Sequence, residues 1–136
     1  LPQRLAAADL VVIPQDASSV SRGQLPAKLL DAMAMGKAVV STRVGDIPRW
    51  LADGAGVLVE PGDPRALGRA IDELARDQAA IDELGRRARE RLLALGSYAS
   101  VRPRLIELVT RAALRAQLAS VHIGDLRPRA TSAHER

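Results

Sequence analysis

The 136-residue chain is 47% apolar and 26% charged, a balance that suits one soluble globular domain or part of one. It has no cysteine, which excludes disulfides, thiolate metal sites and a cysteine nucleophile, and no apolar run approaches the ~18 residues of a membrane span. The net charge of +4 comes mostly from arginines interleaved with Asp and Glu, and aromatic surface for base stacking is almost absent, so a salt-bridged helical surface explains the charge and nucleic acid is not an expected partner.

Phe is absent and Trp and Tyr occur once each, so the core must be built from Leu, Val, Ile and Ala. Residues 2–8 read as a short helix broken by Asp9. Residues 10–13, LVVI, form a continuous β-rich run closed by Pro14, the pattern of a strand buried on both faces of a parallel sheet. Residues 15–24 are polar, with Ser18, Ser19, Ser21 and Gly23, and read as a loop. A helix is expected over residues 25–35, with Pro26 in its first turn and Gly36 as its stop.

Residues 38–42 read as a second buried strand. Gly45 and Asp46 make a turn, residues 47–52 a short helix with Pro48 in its first turn, and residues 53–56 another turn. Residues 57–59 form a third strand ended by Pro61 and Gly62. Asp63 caps a helix that opens with Pro64 and runs to about residue 76, with Ala66, Leu67, Ala70, Ile71, Leu74 and Ala75 at helical spacing. Residues 79–95 form an amphipathic helix rich in Arg and Glu, ended by Gly96. A last helix starts at a Ser97 or Ser100 cap, takes Pro103 into its first turn and reaches about residue 120. Residues 122–136 have no periodicity and are expected to be loose.

Strands alternating with helices predict an α/β fold with a parallel sheet. Three visible strands followed by three helices suit part of a Rossmann-like domain over residues 1–120, with a helical C-terminal portion and a flexible tail over residues 121–136. There is no initiator Met and no signal peptide, so the chain reads as a piece of a longer cytoplasmic protein.

In such sheets ligands bind beyond the carboxyl ends of the strands. The loop over residues 14–24 ends there at the start of the second helix, whose free N–H groups and dipole favour an anion such as a phosphate. At about 100° per residue, Leu29, Leu30, Met33 and Ala34 share one face, and Lys28, Asp31, Ala32 and Met35 the other. Lys28 is misplaced for helix stability but well placed beside a diphosphate, and Asp31, a turn deeper, can accept both hydroxyl protons of a ribose diol. The alternative is an i,i+3 surface ion pair.

The segments "LAAADLVVIP", "LPAKLLDAMAMGKAVVSTRVGDIPRWL" and "DGAGVLVEPGDPRALGRAIDEL", in that order, resemble the C-terminal domain of family 4 retaining glycosyltransferases of the GT-B fold, over about residues 1–110. The resemblance implies that Asp31 holds the donor ribose. Leu25, Pro26 and the preceding Gly23 and Gln24 would present backbone to the diphosphate and sugar, and Lys28 matches the P-x-K-L variant of one branch. Residues 62–64, "GDP", match a structural turn, and the last helix resembles the one that crosses back to the N-terminal domain. In place of the family's frequent first acid, eight residues before Asp31, stands Gly23; Asp16 is a substitute candidate, and Arg49 replaces the usual acid after "GDIP". The basic pair that holds the donor phosphates, and the acceptor domain, would lie upstream.

The remaining candidates read as structural. His122 and His134 fall in the tail, leaving no His-based triad. Gly54 and Gly56 are turn residues, Trp50 and Met33 fill the core, Met35 is open to a pocket role, and Asp46 is a turn aspartate. Arg86, Arg87, Arg89 and Arg91 could rest a cationic face on the anionic cytoplasmic surface of a membrane, in peripheral contact.

The expected function is therefore donor binding in a retaining glycosyltransferase of hexosyltransferase type. It would move a sugar from a nucleoside-diphosphate sugar to an acceptor hydroxyl without metal or other cofactor, no residue being assigned as catalytic. Alone, the piece would not turn over. An epimerase-like GT-B enzyme and a non-catalytic GT-B-like module are the alternatives.

Overall fold

A computed structural model describes residues 2–124, with side chains described from Gln3 to Gln117; the expectations for residues 125–136, His134 among them, lie outside the described residues. The chain divides into two units, Leu1–Ser97 and Tyr98–Arg136. The first unit runs α1 (Pro2–Ala6), β1 (Leu10–Ile13), α2 (Ser19–Arg22), α3 (Ala27–Ala34), β2 (Ala38–Thr42), α4 (Ile47–Trp50), β3 (Val57–Val59), α5 (Pro64–Leu74) and α6 (Gln78–Gly96). The second holds α7 (Tyr98–Gly124), which contains Pro103 and carries Leu105, Leu108 and Val109 exposed.

The strands form a parallel sheet in the order β1-β2-β3, with Leu10 opposite Ala38, Ile13 opposite Ser41 and Val40 opposite Val57. Only the central β2 is buried at every residue. β1, expected to be buried on both faces, is partly covered until Ile13, with β2 the strand that pairs with it among the described residues. Ser41 and Thr42 bring two hydroxyls into this apolar centre, and each is satisfied: Ser41 donates to the Ile13 carbonyl at 2.8 Å and Thr42 to the Gln15 carbonyl at 2.7 Å. Both bonds tie the outgoing end of β1 to β2 as the strand ladder ends.

Alternation along the strands divides the core in two. Val39 packs on one face with Ile13, Leu29, Ala32, Met33, Ile47 and Leu51, so α3 and α4 cover that side, with Trp50 partly buried against them. Ala38 and Val40 pack on the other with Leu74 of α5. α6 contributes to both, through Ile81 on the second face and Ala88 on the first. It can do so because Gly85, midway, passes directly under the entry to β2. A Cβ on Gly85 would stand 2.0 Å from the Gly36 carbonyl oxygen and 3.4 Å from the Ala38 nitrogen. Gly36 ends α3 at φ +65°, as its sequence position predicts.

Side-chain caps start α2, α5 and α6. Asp63 accepts from the Ala66 N–H at 2.8 Å to open α5, and Asp77 from Ala80 at 2.9 Å to open α6. Arg91 of α6 fastens the α4 turn: its guanidinium donates to the Arg49 carbonyl at 2.7 and 3.1 Å and to the Asp53 carboxylate at 2.6 Å. Asp53 itself is held at φ 57°. Arg91→Met keeps the aliphatic stem but removes all three bonds, and should lower unfolding free energy by about 1–2 kcal/mol, read as an earlier urea midpoint with an unchanged slope. An unmoved midpoint would show that the bonds are matched by water.

Candidate functional site

Three connections emerge at the carboxyl edge of the sheet, and the longest follows β1. The sequence reads as plain loop there, but the chain makes one helical turn, α2. Its signal lies in three polar residues. The Asp16 carboxylate accepts from the Ser18 hydroxyl at 2.7 Å, from the Ser18 N–H at 3.3 Å and from the Ser21 hydroxyl, while the Ser18 hydroxyl accepts from the Ser21 N–H as helix cap. The Ser21 hydroxyl, followed by the Ser18 hydroxyl and N–H, holds the Asp16 carboxyl below its ordinary pKa.

The connection after β2 closes on this turn. Gly45, at φ +55°, faces the carbonyls that end α2, and a Cβ there would stand 2.9 Å from the Arg22 oxygen. Gly23 ends α2 and is exposed, as is Gln24. Leu25 turns into the core, and Pro26 takes the cap position of α3. The six residues singled out from the sequence, Gly23, Gln24, Leu25, Pro26, Lys28 and Asp31, thus form one continuous approach to α3 and its first turns.

α3 begins differently from α2, α5 and α6. Its cap residue is a proline and no side chain caps it, and like them it has no acidic residue in its first turn. The positive end of its dipole is therefore uncompensated at the carboxyl edge. Lys28 and Asp31 are both exposed, and neither forms an ion pair or side-chain hydrogen bond with any described residue, so the i,i+3 pair considered as an alternative is not made. The buried stripe is Leu29, Ala32 and Met33. Ala32 was expected beside Asp31 and Ala34 in the core; the two are reversed, because alanine carries too little apolar signal to fix the phase of an eight-residue helix.

The carboxyl edge also holds a cavity of about 220 Å³ on the α5 side, lined by Pro14, Gln15, Asp16, Thr42, Gly62, Asp63, Pro64 and Leu67. The Gln15 Oε1 atom is buried there without a partner. Lys28 and Asp31 do not line this cavity; they face open solvent beyond it.

Asp46 precedes α4 without capping it by its side chain, and Met35 is partly buried at the end of α3. The α6 arginines are engaged within the chain. Arg86 pairs with Glu83 and Glu90, Arg87 with Glu83, Arg91 with Asp53, and Arg89 donates to the Ala34 carbonyl at 2.7 Å. Arg86 and Arg87 together hold Glu83 down to about 2. Each of the four arginines expected to meet anionic lipid has a partner within the chain, Arg86 and Arg87 in exposed pairs. Among the described residues no helix is long and apolar enough to cross a membrane, and no three His, Cys, Asp or Glu side chains gather as a metal site.

The family model described as glycosyl transferases group 1 matches residues 1–77. The chain is 32% identical over 107 residues to the lipopolysaccharide core biosynthesis glycosyltransferase LpsE of Rhizobium meliloti (strain 1021), covering 77% of this chain and 30% of that protein. It is 40% identical over 63 residues to the N-acetyl-alpha-D-glucosaminyl L-malate synthase of Bacillus anthracis, covering 46% and 16%. Among solved structures it is similar to the sucrose-phosphate synthase of Thermosynechococcus elongatus, with TM-score 0.72, 26% identity and 82% of this chain against 27% of that one. Anabaena Alr3699/HepE in complex with UDP-glucose shares the fold at TM-score 0.69 and 22% identity, over 81% of this chain and 29% of that one. The chain thus spans less than a third of the length of each of these proteins, and the expected α/β architecture of the C-terminal GT-B portion is the one found.

Proposed function

Because the chain belongs to the group 1 glycosyl transferase family, we propose that it supplies the donor side of a glycosyltransferase that takes a sugar from a nucleoside diphosphate. One observation carries this reading: the uncapped N-terminus of α3, followed within two turns by an exposed lysine and an exposed aspartate that nothing else in the described chain engages. A helix start left open at the ligand edge of a parallel sheet favours an anion. Lys28 then opposes the charge that grows on the departing diphosphate, and Asp31 accepts the two ribose hydroxyl protons. HepE holds UDP-glucose on the same fold, which supports a nucleotide-sugar donor.

In this reading the sugar is a hexose transferred with retention to a hydroxyl of a glycan, glycolipid or small molecule. The acceptor comes from a preceding domain, and basic residues upstream of these complete phosphate binding. Protein cations and helix N–H groups meet the diphosphate charge, so no divalent ion is required, and the setting is cytoplasmic. Gly23 favours a second reading: where the family often has an acid there is no side chain, which suits a module that binds donor without transferring it.

The test is calorimetric titration of UDP- and GDP-sugars into the full-length gene product in EDTA. Saturable binding of one of them is the expected result, and no binding of any of them would remove the donor reading. Binding without transfer to any acceptor would select the non-catalytic module.

A further inference from the structure

We propose that Asp16 and Gly45 are positioning residues for the donor, fixing the α2 turn from which the chain passes to the open start of α3. The inference rests on the donor reading above and concerns residues that touch the donor only through others.

α2 cannot hold itself. It is a four-residue helix with no buried residue, and Val20, its apolar side chain, is 67% exposed. A single turn fixes more backbone than its few hydrogen bonds repay, so without packing it should melt. Two contacts replace the packing. At its start, one oxygen of Asp16 gathers both serine hydroxyls and the Ser18 N–H, which aligns the Ser18 cap. At its end, the β2–α4 connection comes up against the Ser21 and Arg22 carbonyls, and only a residue without a side chain allows that approach. Asp16 therefore organises the loop, and its oxygen that makes these bonds is not free to act as the missing first acid.

The geometry reaches the ligand edge quickly. Gly23 follows Arg22 directly, Leu25 is anchored in the core, and Pro26 caps α3. If the turn melts or is pushed aside, the backbone of residues 23–26 moves with it, while α3 and the sheet stay where their own packing holds them. Misplacement of a binding group by ~1 Å can cost ~10²-fold in a well-fitted site. These residues sit one step removed, so a loss of about tenfold in donor affinity is expected for Asp16→Ala and for Gly45→Ala.

Asp16→Asn keeps an acceptor oxygen for the two serines and should return donor affinity to within about twofold of the parent, a rescue tied to hydrogen bonding. The measurement is donor affinity of the full-length gene product by calorimetry, for the parent, these three variants, Asp31→Ala and Arg91→Met. Arg91→Met weakens the fold by removing bonds to Arg49 and Asp53 and none to α2 or to residues 23–26, and unchanged donor affinity in it separates positioning from general destabilisation. If Asp16→Ala and Gly45→Ala bind donor like the parent while Asp31→Ala does not, the inference falls and the donor reading stands. If Asp16→Asn is as weak as Asp16→Ala, positioning by hydrogen bonds is overturned in favour of a direct charge contact with the donor. If the parent itself binds no nucleotide sugar, both readings fall.

Discussion

Gly85→Ala should unfold the first unit at a temperature more than about 10 °C below the parent, the largest stability loss expected from a single methyl group here. Helix propensity alone predicts the opposite, since alanine is favoured over glycine in a helix by about 1 kcal/mol. Packing decides the sign. The new Cβ would stand 2.0 Å from the Gly36 carbonyl oxygen, and the obstacle is backbone, which no rotamer change can clear. Either α6 lifts from the amino end of β2 or the end of α3 shifts; both break contacts that join the two halves of the core. Overpacking of this kind costs about 1–3 kcal/mol and sometimes more, against a total of about 5–15 kcal/mol for a domain. Gly68→Ala in α5 is the matched control, because its Cβ would meet nothing within 4 Å. There the same change should stabilise by up to about 1 kcal/mol. Thermal melts of both variants test the contact, and two shifts of the same sign would show that α6 does not press on β2 at Gly85.

Asp31→Ala should leave the melting temperature unchanged and weaken donor binding by about 10²-fold or more. The first half follows from geometry: the Asp31 side chain is exposed, is bonded to no described residue, and lies outside the buried stripe of α3. The second half follows from the proposed role. A hydrogen bond to a charged group contributes about 1.5–3 kcal/mol, and a carboxylate spanning a ribose diol makes two. Every ~1.4 kcal/mol is tenfold in affinity, so loss of both exceeds a hundredfold even when water recovers part of the energy. Lys28→Ala should cost less, because its charge is screened and shared with the helix start. Donor affinity within twofold of the parent for Asp31→Ala, with the fold intact, would remove Asp31 from the site.

The sequence shows the three strands plainly, because Val-rich runs between turn residues admit few other conformations. It also shows where α3 stops, since a glycine there takes a conformation other residues resist. Less visible is anything decided by partners distant along the chain. Gly85 reads only as a weak spot in a helix; its purpose appears when Gly36, 49 positions earlier, is brought beneath it. α2 is hidden for a different reason: with no apolar face it has no period, and its signal is one aspartate placed to collect two serines. The partial cover of β1 could not be read either, since coverage depends on what pairs with the strand and not on its own side chains. Lys28 and Asp31 were legible as an approach to an anion, yet their residue types and spacing alone suited a surface ion pair better, and among the described residues that pair is not made.

β2 is gripped at its amino end by α6 through Gly36 and Gly85, while the ligand-facing turns hang from its other end, about five residues away. A substitution in those turns therefore leaves the clasp that keeps the domain assembled untouched, so what the turns present at one pole can change while the fold is held at the other.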